Sequence, residues 1–456
     1  MPLPPGPRLP ALVQTLDYLT RPAEFLRKCH DRYGDVFTIA TVIFGREVVV
    51  VRPETIKKVF TGDPDKLRAG EGNSALAPVL GPRSVLLLDG EEHLRQRRLM
   101  MPPFHGERMR AYAQIMQSIT ERTMARWPND RPFRLHPEMQ RITLDVILRT
   151  IFGVDEGKGS KELGDALANL LDELSNPIAT IATMPALRHR AWGLSPWAAF
   201  ERRMKRVDDL VYAQIRRRRE AQTKGDDVLS MLLEAKDEDG VAMTDGELRD
   251  ELITLLGAGH ETTATALCWA FESILRTPRV FQRIQEELAA SDGSPEAKLP
   301  YLEATIKEVL RLHPVVPAVS RRVKEPMTID GFDVPEGVLL VPAAFLTHRL
   351  PDIYPNPESF EPERFLDTKT DPYAWLPFGG GIRRCLGMAF AVYEMKIVLS
   401  TILSRLKLRV VKPKKAKILV RGFTHSPRGG VPVIVERRLP ARVAASRDTP
   451  LEAQAP

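Results

Sequence analysis

Apolar positions recur with two different periods along this chain, and the division between them is uneven. Near the start, FLRKCHDRYGDVF keeps its apolar residues on one helical face and stops at Gly34, which predicts an amphipathic helix. VFTIATVIFGREVVVVRP then reads as two strands turning at Gly45 and Arg46. From about His93 to Glu287 the period is helical almost throughout, with heptad-like spacing in MQRITLDVILRTIFG and FERRMKRVDDLVYAQIRRRREAQ. Thr244 or Asp245 is placed to cap a long apolar helix, and YLEATIKEVLRLH predicts another that stops at Pro314. Beyond it, MTIDGFDVPEGVLLVPAAF alternates and turns at Asp330-Gly331 and Glu336-Gly337, a second patch of antiparallel strands. MAFAVYEMKIVLSTILSRL is a further helix, and short strands follow around LVRGFTHSPRGGVPVIVERR. The pattern predicts a mainly α fold with a smaller β region.

At 456 residues the chain has room for two or three domains, yet it carries no Gly/Ser linker and no repeat, so residues 1–438 are assigned to a single domain. The proline-rich leader, residues 1–10, is expected to lie extended on the surface, and the tail 439–456 to be disordered. A net charge of +7 is modest for this length; it fits a basic docking face for an acidic partner and does not mark a nucleic-acid-binding protein. Three widely spaced cysteines argue against a disulfide framework and for a reducing compartment, the cytoplasm. The apolar run Leu252 to Leu275 is long enough to span a bilayer, but Glu261 and Glu272 lie inside it, so a buried helix and no membrane anchor is the reading.

PFGGGIRRCLG, Pro377 to Gly387, concentrates the candidate chemistry. Its glycines let the backbone approach a flat ligand closely. Cys385 stands just before a helix N-terminus beside Arg383 and Arg384, a setting that favours a low-pKa thiolate. Such a thiolate suits a nucleophile, a zinc ligand or a redox centre, although no second cysteine or histidine follows at metal-ligand spacing. The pattern from Phe378 through Gly379, Gly381, Arg383 and Cys385 to Gly387 resembles the haem-binding loop of the cytochrome P450 family. That resemblance implies the P450 fold, a triangular helical prism around haem b, with Cys385 as the proximal iron ligand, Phe378 packed beside the sulfur and Arg383 on a haem propionate. A thiolate ligand promotes cleavage of the O–O bond of oxygen.

Further segments match the same family in the expected order. AGHET, Ala258 to Thr262, resembles its oxygen-activation motif, in which Glu261 and Thr262 are implied to deliver protons. Ala258 and Thr262 share one helical face, and the threonine hydroxyl is expected to open the backbone ladder locally. His260 reads as a packed or exposed helix residue. Glu308 and Arg311, with Arg364 in PERF, resemble the family's structural ion-pair network. His93, Arg97 and Arg321 are implied to bind the propionates, whose buried carboxylates need cationic donors.

The resemblance, which covers about Pro4 to Arg437, implies a monooxygenase that uses O2 and takes electrons from a ferredoxin or flavodoxin with its NAD(P)H reductase. A haem-thiolate isomerase would not need Glu261 and Thr262, and a non-catalytic haem sensor would need no proton relay. Candidate pocket segments, Asn73 to Leu88, Ser175 to Leu187, Val315 to Val319 and the GFTHS stretch at Phe423, are apolar and suit a lipophilic substrate. A fatty acid is the favoured class, with Arg83 or Arg188 meeting its carboxylate; terpenoids, steroids and polyketides are the alternatives.

Overall fold

The computed structural model describes residues 2–104, 108–154, 158–174, 196–221 and 225–440. Its centre is the helix Asp245–Leu275, which starts at a complete capping box: the Thr244 hydroxyl accepts from the Glu247 amide while the Glu247 carboxylate accepts from the Thr244 amide. A helix apolar on all sides must be buried on all sides. Leu252, Leu256, Leu267, Trp269 and Phe271 are each sealed from solvent, and the helices Leu135–Thr150, Pro300–Leu312, Met388–Arg405 and Pro196–Ala221 pack around them. Among the described residues no helix is long and apolar enough to cross a membrane.

The strands gather at the ends of the chain. Val36–Thr41 (β1) and Gly45–Val50 (β2) form the expected hairpin, but its turn is Val42 to Phe44, and Gly45, at φ +75°, opens the second strand. A short helix, Ala11–Thr20, precedes them. Leu67–Arg68 (β3) and Phe133–Arg134 (β4) are brief. Arg321–Val323 (β5), the hairpin Met327–Ile329 (β6) and Phe332–Val334 (β7), and Leu339–Pro342 (β8) follow. β6 and β7 turn at Asp330 and Gly331, both at positive φ, as the sequence predicts. β8 does not remain in a separate patch: it pairs parallel with β2, giving one five-stranded sheet in the order β1-β2-β8-β5-β3. The valine-rich run of β2, buried at every residue from Val48 to Val51, explains the difference, since such a strand needs a partner on both edges and cover on both faces. Leu406–Val410 (β9), Ile418–Arg421 (β10), Thr424–Pro427 (β11) and Pro432–Arg438 (β12) complete the chain, β12 lying between β4 and β9.

The leader is extended but not free: the Pro5 carbonyl accepts from the Thr38 amide and the Pro4 carbonyl from the Thr38 hydroxyl, tying it to β1. Of the expected tail, residues 441–456 lie outside the described residues.

Candidate active site

The cysteine loop is built by its glycines. Gly379 and Gly381 both hold φ +65°, and a side chain at Gly380 or Gly381 would strike Phe60 of the helix Pro53–Thr61. The loop closes where the Phe378 carbonyl accepts from the Cys385 amide at 3.0 Å, with the Phe378 ring 6.0 Å from that of Trp375. A Cβ on Gly387 would meet open space, and the helix Met388–Arg405 starts there. Cys29 and Cys268 are buried, whereas Cys385 is exposed. Crowding by the surrounding protein nevertheless pushes its thiol up, and the Gly387 N–H, Arg97 and Arg384 only partly offset this. The low-pKa thiol expected from the flanking arginines is therefore corrected: Arg383 turns its charge toward Asp89 and leaves burial to outweigh the remaining donors.

Arg383 donates to the carbonyls of Val85, at 3.0 Å, and Leu88, and pairs with Asp89 at 2.5 Å. Its expected place on a propionate is thus taken in part by protein acceptors, a pairing across 294 residues that no local spacing encodes. The other cations are less satisfied. Arg321 is buried, donates among the described residues only to the Ser320 carbonyl, and lies over the Phe60 ring; burial and then Arg383 push it down to about 10. Arg97, half-buried on the helix Gly90–Met100, is also pushed down by burial and has no hydrogen-bond acceptor among the described residues. His93, one turn earlier, is buried with Nδ1 unpartnered, and burial followed by Arg383, Arg97 and Arg321 pushes it down to about 3. Among the described residues, the charges of Arg321, Arg383 and the half-buried Arg97 are answered here by one carboxylate, Asp89, an arrangement that favours a bound anion.

On the central helix, Leu255, Ala258 and Thr262 fall on one face, Ala258 exposed and the other two half-buried, where the turns on either side are sealed. The Thr262 hydroxyl bonds back to the Ala258 carbonyl at 2.5 Å, and the helix runs unbroken, so the expected opening of the ladder is absent. Gly259 lets this helix approach the one at Leu135–Thr150, where Ile147 would meet an added Cβ at 3.3 Å. His260 is packed, 2.8 Å from the Thr143 hydroxyl. Glu261 turns away from the open face into a polar cluster: Gln140 donates at 2.8 Å, His136 lies at 3.3 Å and Arg421 at 3.7 Å. Burial alone would push its carboxyl up; His136, Arg421 and Gln140 outweigh that and hold it below the usual range. His136 and Arg421 are functional candidates that the sequence reading missed, because they reach Glu261 from other elements.

Glu308 and Arg311 are fully buried and 2.7 Å apart. Arg311 also donates to the carbonyls of His348, Pro357 and Ser359, while Arg364 approaches Glu308 at 3.5 Å and pairs with Glu361 at 2.8 Å. At 3.5 Å the Arg364–Glu308 contact is ionic, not a hydrogen bond, and Arg364 Nε is left unsatisfied. One contact network thus ties the helix Pro300–Leu312 to the segment leading to the cysteine loop.

The family model for cytochrome P450 matches residues 3–430. The chain belongs to the cytochrome P450 family. It is 41% identical to cytochrome P450 135B1 of Mycobacterium tuberculosis over 100% of this chain and 94% of that protein. Cytochrome P450 135A1 of the same organism is 38% identical over 96% of each chain. Among solved structures, retinoic acid bound cyanobacterial CYP120A1 superposes with a TM-score of 0.84 at 25% identity, covering 96% of this chain and 100% of that one. The mainly α P450 fold, protoporphyrin IX haem as cofactor and monooxygenase activity follow from membership. The residues present fit a haem: its two carboxylates match the uncompensated charge of Arg97 and Arg321 and the unpartnered Nδ1 of the buried, neutral His93, and the glycine loop presents the exposed thiol of Cys385.

Proposed function

We propose that this P450 hydroxylates or epoxidises a lipophilic small molecule, a medium- or long-chain fatty acid before a terpenoid, steroid or polyketide. Bound haem supplies oxygen activation, using two electrons and two protons per turnover. Cys385 holds the iron, with Phe378 beside it and Gly387 leaving room; His93, Arg97 and Arg321 hold the propionates, and Arg383, its charge shared with Asp89, completes the positive wall. Thr262 and Ala258 line the open face of the central helix, where the Thr262 hydroxyl positions a proton and Glu261 passes it inward from the His136 and Arg421 cluster. Glu308, Arg311 and Arg364 are structural. A ferredoxin or flavodoxin, reduced by its NAD(P)H reductase, docks near the exposed Arg384. Three unpaired cysteines support a cytoplasmic location.

The observation that carries the fatty-acid reading is Arg83. It is exposed, its side chain has no acceptor among the described residues, and it lies over Gly246 at the start of the central helix. The half-buried Leu86, Leu87 and Leu88 follow directly, so a carboxylate at Arg83 leaves an aliphatic chain against apolar surface, at roughly 25 cal/mol per Å² buried. The second candidate, Arg188, and the Ser175 to Leu187 segment lie outside the described residues. Titration with saturated acids of about twelve to sixteen carbons is expected to shift the haem from low to high spin, and Arg83→Glu to weaken acids about tenfold, one lost charge-assisted contact, while sparing neutral ligands. A spin shift with a steroid or terpenoid but with no acid overturns the reading.

A further inference from the structure

Asp89 stands where a helix cap is expected and does not act as one. It is the N-cap residue of Gly90–Met100, yet its carboxylate accepts from no amide of that helix. Instead it reaches back along the chain, Oδ1 accepting from the Gly70 amide at 2.9 Å and Oδ2 from the Glu71 amide at 3.1 Å. Only glycine fits at the first of these positions, because an added Cβ on Gly70 would fall 2.7 Å from Asp89 Oδ2 and closer still to the Leu87 carbonyl. Oδ1 also pairs with Arg383 of the cysteine loop at 2.5 Å, and the same guanidinium donates to the Val85 and Leu88 carbonyls. With Arg383 12% and Asp89 13% exposed, water and salt screen this pair weakly.

Burial pushes Arg97, Arg321 and Arg383 down, and among the described residues Asp89 is the carboxylate that acts against this at Arg321 and Arg383. With the two carboxylates of a haem the charges close, three guanidinium groups against three anions, the buried His93 being neutral. We propose that Asp89 is a positioning residue that tunes the haem: it fixes where Arg383 points, and by keeping part of the Arg383 charge it loosens the propionate contact and lowers the reduction potential. The proposal rests on the propionate roles assigned above and adds to them a residue outside the cationic set. A neighbouring negative charge disfavours the ferrous state, which carries one more electron, so removing that charge raises the potential.

The test is Asp89→Asn in the full-length, haem-loaded protein, read by spectroelectrochemical titration and by haem transfer to excess apomyoglobin. The ferric–ferrous equilibrium is expected to move about tenfold toward ferrous, about 59 mV for one electron, and haem transfer to slow about tenfold. Asp89→Ser also removes the charge but is able to cap Gly90–Met100; it is expected to raise the potential equally, and it decides the matter should the asparagine variant fail to fold. Asp89→Glu keeps the charge and is expected to keep the wild-type potential, whereas a loss of packing alone would move all three variants alike. Arg321→Gln, which tests the propionate assignment separately, is expected to speed haem transfer about tenfold. An unchanged or lower potential in Asp89→Asn, faster haem loss from it, or an equal rise in Asp89→Glu overturns the proposal while Arg321→Gln still loses haem quickly. If Arg321→Gln loses haem no faster than the wild type, the propionate assignment itself fails, and this proposal with it.

Discussion

Cys385 shows how little of a reactive group's character resides in its immediate sequence. The two arginines beside it look as if they should share the work of lowering its pKa, yet Arg383 is bound to Asp89 and to two carbonyls, and the Gly387 N–H, Arg97 and Arg384 are what act on the sulfur. Crowding by the surrounding protein outweighs these charges and keeps the thiol pushed up. Cys385→Ala is accordingly expected to abolish the red-shifted carbon monoxide band of a thiolate-ligated ferrous haem while leaving helix content unchanged by circular dichroism; persistence of that band would remove Cys385 as the ligand. Glu261 makes the complementary point. Its carboxylate is locked by His136 and Gln140 at rest, so any proton it carries to the open face depends on a side-chain rotation that the sequence motif alone does not announce.

At the scale of elements, the helix Pro300–Leu312 and the irregular segment from His348 to Arg364 are joined chiefly through Glu308 and Arg311. Arg311 is fully buried and serves three carbonyls besides its carboxylate. Arg311→Leu leaves Glu308 buried without its partner, and a loss of about 3–5 kcal/mol is expected in urea unfolding, with Arg364→Lys costing less because Arg364 is only partly enclosed. This network was legible only through the family resemblance, since Glu308 and Arg311 three apart on a helix would by themselves read as an ordinary ion pair. The helix cap at Thr244 or Asp245, of which the structure takes Thr244, the glycine stop at Gly34 and the Asp330–Gly331 turn were legible directly, because each is decided by residues close in sequence. Not legible were the parallel pairing of β8 with β2, the Arg383–Asp89 bridge and the arrival of His136 and Arg421 at Glu261, all set by packing between distant segments.

For the whole molecule, stability against pH is governed by groups buried in their neutral forms. Burial pushes His260 to about 4, His348 and His425 to about 3, and His313 well below its ordinary value. Their folded pKa values are depressed, so the unfolded chain takes up protons as pH falls below about 6.5 and stability declines on that side. Burial pushes Glu47 up to about 7, Glu394 up to about 8 and Glu251 well above its ordinary value. These remain protonated when folded but ionise when unfolded above about 4.5, so stability declines as pH rises until each folded value is passed. The two sets oppose each other between about 4.5 and 6.5, where the four histidines prevail; above that range only the glutamates act. The unfolding free energy from urea titrations is therefore expected to peak near pH 6 to 7, falling on the order of 1–3 kcal/mol per pH unit on the alkaline limb, and Glu394→Gln should flatten that limb. A midpoint that climbs steadily from pH 6 to 9 would contradict the assignment.

The pairing of β2 with β8 also sets a timetable for synthesis. Val48 finds Leu340, and Val49 finds Val341, only after nearly three hundred intervening residues have been made. At translation speeds of about 5–20 residues per second, the nascent chain carries an unpaired edge for roughly 15–60 s. That edge belongs to the run VFTIATVIFGREVVVV, rich in β-branched residues and nearly free of charge, the composition most prone to pairing with a neighbouring chain. A newly made molecule thus depends on a chaperone, or on dilution, for most of its time on the ribosome, and lowering the rate of expression should raise the yield of folded protein more than lowering the temperature after synthesis is complete.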